Sequence, residues 1–350
     1  MGRNIVICCD GTGNDVEADE SNVLRLERML VRDDDQVTYY DPGVGTQGAP
    51  TLDFISRQEL LRVLGMGLGM GAFDRIGSSY RFLMRTYRPD DRIYIFGFSR
   101  GAYVARALAG LVAKMGVLEA SRENLVPYAM KLYAAPANAP IVAPFCDTFA
   151  TYRPEIAFLG LWDTVKSVYQ FDPRRAAFTS VSLPLTFDNS RVRVIRHAIA
   201  LDERRRFYRT NLWIGHSQYT NDQDVRQVWF PGVHSDVGGS YPDAEGGLSK
   251  IALEWMVREA RHAGVRIDQL VYDLVVPLRP VGPVSSPDHT AMLHNSLTGV
   301  WRLFEWWPPF PRGKRRFVPE GAFIHRSVAN RIREVHGYRP YLPRGHVFVD

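Results

Sequence analysis

The chain has 350 residues and a formal net charge of +5, spread without a dense Lys/Arg block, which argues against a nucleic-acid-binding tail. Hydrophobic residues make up 45% and charged residues 23%, a balance that supplies a large core and excludes a disordered chain. Three cysteines, two of them adjacent at Cys8 and Cys9, form neither a disulfide framework nor a zinc pattern and suit a reducing compartment.

The first predicted element is a buried strand, Asn4 to Cys9, followed by a glycine-rich turn from Asp10 to Asn14. Val23 to Leu30 reads as a short amphipathic helix and Val37 to Tyr40 as a second strand. A helix is predicted from Ala72 to Tyr87, ended by Arg88-Pro-Asp-Asp91. Ile93 to Phe96 is then a strand, and from Ala102 to Gly116 apolar residues recur at helical spacing. Alternating strands and helices of this kind predict an α/β fold: a mainly parallel sheet with helices on both faces.

A Pro- and Ala-rich insertion is expected near 134–154 and an irregular one near 170–190. Between them Ile156 to Leu161 is a strand. Val192 to Ala200 is a further strand or a strand-helix junction, Gln227 to Phe230 is a late strand, and Leu248 to Ala263 is an amphipathic helix. Beyond residue 277 prolines become frequent, with Trp301, Phe304, Trp306, Trp307 and Phe310 beside Lys314, Arg315 and Arg316. This 277–350 region is expected to pack on the sheet, so residues 1–350 are read as one domain. The aromatic and basic run is read as core or lid, since prolines at 308, 309 and 311 break any continuous helix. Its alternative is peripheral contact with lipid.

Gly97, Ser99 and Gly101 form a G-x-S-x-G pattern on the turn between a strand and a helix. That setting points to a nucleophile elbow, with the serine hydroxyl lifted above the sheet. In an open parallel sheet, functional groups collect at the carboxyl ends of the strands. Four residues fall there: Asp10, Ser99, Asp163 and His234. Ser99, Asp163 and His234 provide a hydroxyl, a carboxylate and an imidazole in the chain order of α/β-hydrolases.

His234, in a Gly-rich loop after a late strand, is favoured over His197, His216 and His262. Asp163 is favoured over Asp188, over Asp202, which an ion pair with its neighbouring arginines would explain, and over Asp236, which sits close enough to His234 to organise its loop. The N–H of Arg100 is expected to stabilise an oxyanion, with Gly11 and Thr12 as the second donors. Asp10 and Asp236 are supporting residues in this reading, which needs no metal or cofactor. An alternative gathers Asp10, Asp163, His234 and Asp236 into a metal site for phosphoester hydrolysis. A third reading is a non-catalytic binding domain on a hydrolase scaffold. The D-x-D-G-T turn of aspartyl phosphotransferases is excluded, because Cys8 stands where its first aspartate belongs.

Six segments in order carry a resemblance: Cys9-Asp-Gly-Thr-Gly-Asn14, Tyr40-Asp-Pro-Gly-Val-Gly-Thr46, Ile95-Phe-Gly-Phe-Ser-Arg-Gly-Ala102, Leu161-Trp-Asp-Thr-Val165, Arg196-His-Ala-Ile-Ala-Leu-Asp202 and Trp229-Phe-Pro-Gly-Val-His-Ser-Asp-Val-Gly-Gly239. Together they resemble the DUF2235 family, the α/β-hydrolase domain of type VI secretion phospholipase effectors of the Tle1 group. The likeness covers most of residues 4–265, and Ile324-His-Arg-Ser-Val328 and Tyr338-Arg-Pro340 extend it. It implies a Ser-Asp-His esterase with phospholipase A activity in the effector members, and assigns Ser99, Asp163 and His234 by motif. The effectors append a large module that engages membrane, so this chain is expected to be a short stand-alone member. No leader or membrane-spanning run is seen, and a cytoplasmic location is expected, with any export by a leaderless route. The expected partners are an acyl ester or phospholipid and no nucleic acid; acyl preference and oligomeric state are not read.

Overall fold

The computed structural model describes residues 2–11, 20–43, 68–136, 139–165, 169–172, 177–180, 183–205, 208–213, 223–298 and 314–350. Eight strands form one sheet: β1 Asn4–Cys9, β2 Gln36–Asp41, β3 Arg92–Phe98, β4 Ile156–Trp162, β5 Val192–Ala200, β6 Asp224–Phe230, β7 Phe323–His325 and β8 Val347–Val349. Their spatial order is β2-β1-β3-β4-β5-β6-β7-β8. Every neighbouring pair is parallel. The fold is α/β-hydrolase-like.

The continuous apolar runs of β1 and β3 follow from burial on both faces. On one face Ile5, Ile7, Ile93, Ile95, Leu159 and Ile195 pack under helices α2 (Leu68–Thr86) and α3 (Arg100–Met115). On the other Val6, Tyr94, Phe96, Phe158 and Trp162 pack under α1 (Asn22–Met29) and a later helix, Gly247–His262. One face is mainly aliphatic and the other aromatic, and Gly160 makes room for the aromatic one: a Cβ there would stand 2.5 Å from the Phe96 ring.

The six strands expected from sequence are β1 to β6. The C-terminal region adds β7 and β8 as two further strands at the sheet edge, where Ile324, Trp229 and Ile199 share a small core with Val318 and Val328. The 134–154 stretch holds a helix, Val142–Phe149, and a strand, Ala150–Tyr152, that pairs antiparallel with Val117–Leu118. The 170–190 stretch includes a ribbon of Tyr169–Asp172 with Ala177–Ser180. Trp301 to Phe310 lies outside the described residues. No helix among those described is long and apolar enough to cross a membrane.

Strand order reverses between β1 and β3, which opens a crevice at their carboxyl ends. Register then fixes what meets there. Cys9 pairs with Gly97, Phe98 with Trp162, Trp162 with Ala198, and Ala200 with Phe230. The residues that follow β1, β3, β4 and β6 therefore emerge along one edge.

Candidate active site

A single residue, Ser99, joins β3 to α3. Its backbone adopts φ 58° and ψ −120°, a conformation that costs a non-glycine residue on the order of 1–3 kcal/mol. Two hydrogen bonds hold it there: Ser99 N–H donates to Trp162 O at 3.0 Å, and Ser99 O accepts from Val165 N at 3.3 Å. The flanking glycines serve close approach rather than the bend. A Cβ on Gly97 would stand 2.6 Å from Gly101 O, and one on Gly101 would stand 2.1 Å from Cys9 O and 2.3 Å from Asp10 O. These are backbone atoms that cannot swing aside. Gly101→Ala is expected to cost roughly 3 kcal/mol by prying α3 from the end of β1, read as a lowered denaturant midpoint; an unchanged midpoint would refute this packing.

Beside the elbow, a short helix, His234–Gly238, follows β6 and starts at the imidazole. His234 Nε2 lies 2.8 Å from Ser99 Oγ, and His234 Nδ1 lies 2.6 Å from Asp163 Oδ2. The carboxylate accepts at Oδ2, so the proton belongs on Nδ1 and Nε2 is left to accept from the serine hydroxyl. The ring is held between Phe98, stacked at 4.7 Å, and the Tyr208 ring, edge-on at 4.7 Å. Burial lowers the imidazole pKa below its ordinary value, and the hydrogen bond to Asp163 only partly opposes this. The ring is therefore neutral, and able to take a proton, at neutral pH.

Asp163 follows β4 and is fully buried, 1% exposed. Its Oδ1 accepts from Ala200 N at 3.0 Å. Arg316 grips it with two nitrogens, Nη1 to Oδ1 at 2.5 Å and Nη2 to Oδ2 at 2.9 Å. Burial pushes the carboxyl pKa up, but Arg316 and His234 outweigh it and hold the group well below the usual carboxylate range. Arg316 is itself tied to Tyr208 O and Ala200 O. His197, buried at the back of this loop, accepts from Thr164 N at 3.2 Å and is pushed down to about 3 by burial and Arg106. It is a neutral brace. His262 is exposed at a helix end, and His216 lies outside the described residues.

Two of these groups had no sequence signal as site residues. Arg316 stands 153 positions from Asp163, in a basic run that suggests lipid phosphates rather than a buried carboxylate. The other is Glu203, in the arginine-dense stretch where Asp202 was expected to form an ion pair. Asp202 instead accepts from Gly232 N and Tyr338 Oη. Glu203 is the ion-paired residue: it meets Arg205 at 2.9 Å and accepts from His234 N at 3.1 Å and Ser296 Oγ at 2.9 Å. Arg205 also lies over the Tyr208 ring at 3.7 Å.

Burial opposes ionisation of Glu203, yet its bonds and attraction to Arg205 prevail and lower its pKa from 4.5 to about 2. A depressed carboxyl stabilises the fold above its unfolded pKa and loses that contribution as pH falls through its folded value. A shift of this size corresponds to about 3 kcal/mol. Glu203→Gln is expected to lose roughly that at neutral pH, and denaturation curves recorded between about pH 4.5 and about pH 2 should flatten relative to the parent.

The remaining expected residues are arranged differently. Asp10 is buried and accepts from Ser21 Oγ at 2.6 Å, Tyr40 Oη at 2.7 Å and Gly11 N at 2.6 Å. The Gly11 N–H is thus turned onto Asp10 rather than out toward an oxyanion, contrary to expectation, because the carboxylate beside it is the nearer acceptor. Thr12 lies outside the described residues. Arg100 begins α3, where first-turn N–H groups point out of the helix. Asp236 accepts from Val233 N at 3.0 Å and His294 Nδ1 at 2.6 Å, so it ties the His234 loop to residue 294. The alternative metal set is accordingly not gathered: Asp10 and Asp236 are turned to other partners. Among the described residues no three His, Cys, Asp or Glu side chains are placed to hold an ion.

Residues 3–259 match the model of a family described as T6SS, Phospholipase effector Tle1-like, catalytic domain. Uncharacterized protein YEL023C of Saccharomyces cerevisiae is 33% identical over 222 residues, 58% of this chain and 32% of that protein. An uncharacterized protein from Pseudomonas aeruginosa has a similar solved structure, with a TM-score of 0.44 and 22% identity, covering 76% of this chain and 46% of that one. The Tle1 effector bound to the VgrG spike of the type 6 secretion system is similar at TM-score 0.41 and 20% identity, covering 71% and 53%. The chain spans 32% of the yeast relative's length and 46% and 53% of the two solved chains. Its matched residues include the elbow, Asp163 and His234 but stop short of Arg316, and on that match the chain belongs to the Tle1-like phospholipase effector catalytic-domain family.

Proposed function

We propose that this chain is a serine esterase that cleaves acyl esters of lipids, with phospholipids as the foremost substrates and the sheet domain, completed by β7 and β8, as its single catalytic unit. The observation that carries the reading is the relay of 2.8 Å from Ser99 Oγ to His234 Nε2 and 2.6 Å from His234 Nδ1 to Asp163 Oδ2. Ser99 is the nucleophile, His234 the general base and then acid, and Asp163 the group that fixes the imidazole tautomer. The lipid ester comes from the family, whose members are phospholipase effectors.

His234 Nε2 takes the serine proton as Oγ bonds to the ester carbonyl carbon, and the carbonyl oxygen becomes an oxyanion. Arg100 N–H, at the start of α3, donates to that oxyanion, aided by the positive end of the helix. Collapse expels the alcohol, which leaves with the proton now on His234, and the acyl group stays on Ser99. Water then loses a proton to His234, attacks the acyl carbon and releases the fatty acid, restoring Ser99. Both half-reactions use the same atoms in reverse roles.

A fluorophosphonate probe tests the nucleophile directly. It is expected to attach covalently to Ser99, mapped by peptide mass spectrometry, and heat-denatured protein should not react. A folded chain that fails to react would favour a binding domain on a hydrolase scaffold, and chelator-sensitive activity in a Ser99→Ala variant would favour the metal reading.

A further inference from the structure

A cleft of about 340 Å³ opens beside the Asp163 end of the site. Among the described residues its lining includes six cations, Arg204, Arg205, Arg209, Lys314, Arg315 and Arg316, and no aspartate or glutamate. Two of these charges are already balanced, Arg205 by Glu203 and Arg316 by Asp163. Arg204, Arg209, Lys314 and Arg315 are exposed and form no ion pair among the described residues. Gathering unbalanced like charges raises the energy of the folded chain unless an anion relieves it.

Arginine supplies this relief in a particular way, because its planar fork of donors matches phosphate oxygens. The rim carries Phe317, 79% exposed, and an aromatic beside cations is what a surface at lipid headgroup level presents. The cleft also touches the chemistry. Arg316 reaches from its wall to Asp163, and Arg205 reaches from it to Tyr208, whose ring meets His234. Lys314, Arg315 and Arg316 lie beyond residues 3–259, the part shared with the family.

We infer that this cleft binds a phosphate group, borne by the headgroup of an anionic phospholipid or free in solution. Its role in substrate choice rests on the lipid-esterase reading; the binding itself does not. With phosphate held here, the acyl ester of the same lipid, or of its neighbour in the membrane, is kept at the mouth of the Ser99 site, so anionic phospholipids are the preferred class.

The test is binding without turnover, in the full chain carrying Ser99→Ala. Sedimentation with phosphatidylcholine vesicles, with and without phosphatidylglycerol, reads the lipid arm; calorimetric titration with inorganic phosphate reads the free arm. Arg209→Gln with Arg315→Gln is expected to weaken binding to phosphatidylglycerol vesicles roughly ten-fold or more. Lys131→Gln with Arg333→Gln, an equal loss of exposed charge elsewhere, is expected to weaken it at most about two-fold. Loss confined to the calorimetric arm assigns the cleft to free phosphate. Equal weakening by both pairs, or no weakening by either pair in both arms, overturns the proposal, and Arg209→Lys with Arg315→Lys separates charge from fork geometry if the Gln pair unfolds. Failure of Ser99 to react with fluorophosphonate would sink the esterase reading and leave these binding results standing.

Discussion

Replacing Ser99 by alanine is expected to reduce turnover of labelled phospholipid roughly 10⁵-fold or more while leaving the fold intact. In the proposed mechanism the loss is large because the hydroxyl is the atom that bonds to the ester carbon. Without it, His234 has only water to activate, and what remains is binding and oxyanion stabilisation. The fold survives because alanine keeps both backbone hydrogen bonds of residue 99, to Trp162 O and from Val165 N, and meets the same left-handed penalty as serine. Turnover, covalent labelling and the denaturant midpoint should therefore separate, with the first two abolished and the third within about 1 kcal/mol of the parent. Turnover equal to that of the parent protein would sink the serine mechanism.

Much of the site's placement was legible because parallel strands buried on both faces announce themselves as short apolar runs. The residue after such a run sits at a carboxyl end, and that rule alone selects Asp10, Ser99, Asp163 and His234. It does not say which of the four turn toward each other. Asp10 sits at the right edge but spends its carboxylate on Ser21, Tyr40 and Gly11, and no periodicity in the sequence foretells that. The strands β7 and β8 escaped notice because each has three residues and half-exposed side chains, such as Phe323 at 40% and Val347 at 48%. Edge strands that short carry no alternation to detect. Arg316 and Glu203 escaped for a different reason. The Arg316–Asp163 ion pair spans 153 positions and is a property of the folded register; among 43 lysines and arginines no local cue marks the one that turns inward. Glu203 pairs locally with Arg205, but what brings it to the site is its acceptance from His234 N and Ser296 Oγ, contacts equally invisible in the sequence.

Asp163→Asn is expected to lower kcat/KM by about 10³–10⁴-fold, nearly as severe a loss as that of the nucleophile. Asparagine can offer His234 an N–H as readily as an oxygen. The amide then favours the tautomer with its proton on Nε2, which cannot accept from Ser99 Oγ at 2.8 Å. The substitution also leaves the Arg316 fork on a neutral group inside the protein, an unbalanced cation close to the imidazole. Both effects disfavour the imidazolium, so the rising limb of the pH profile, which requires neutral His234, should move to lower pH. In the parent protein that limb is expected below the ordinary imidazole value, since burial lowers His234. Arg316→Gln makes the opposite prediction. It removes the cation and keeps the carboxylate, so Asp163 attracts the His234 proton more strongly and the limb should move up, with a smaller loss of kcat. Opposed shifts in these two variants would place Arg316 as a residue that sets the basicity of His234 through Asp163. Shifts in the same direction would reduce it to a structural tie between Asp163, Ala200 and Tyr208.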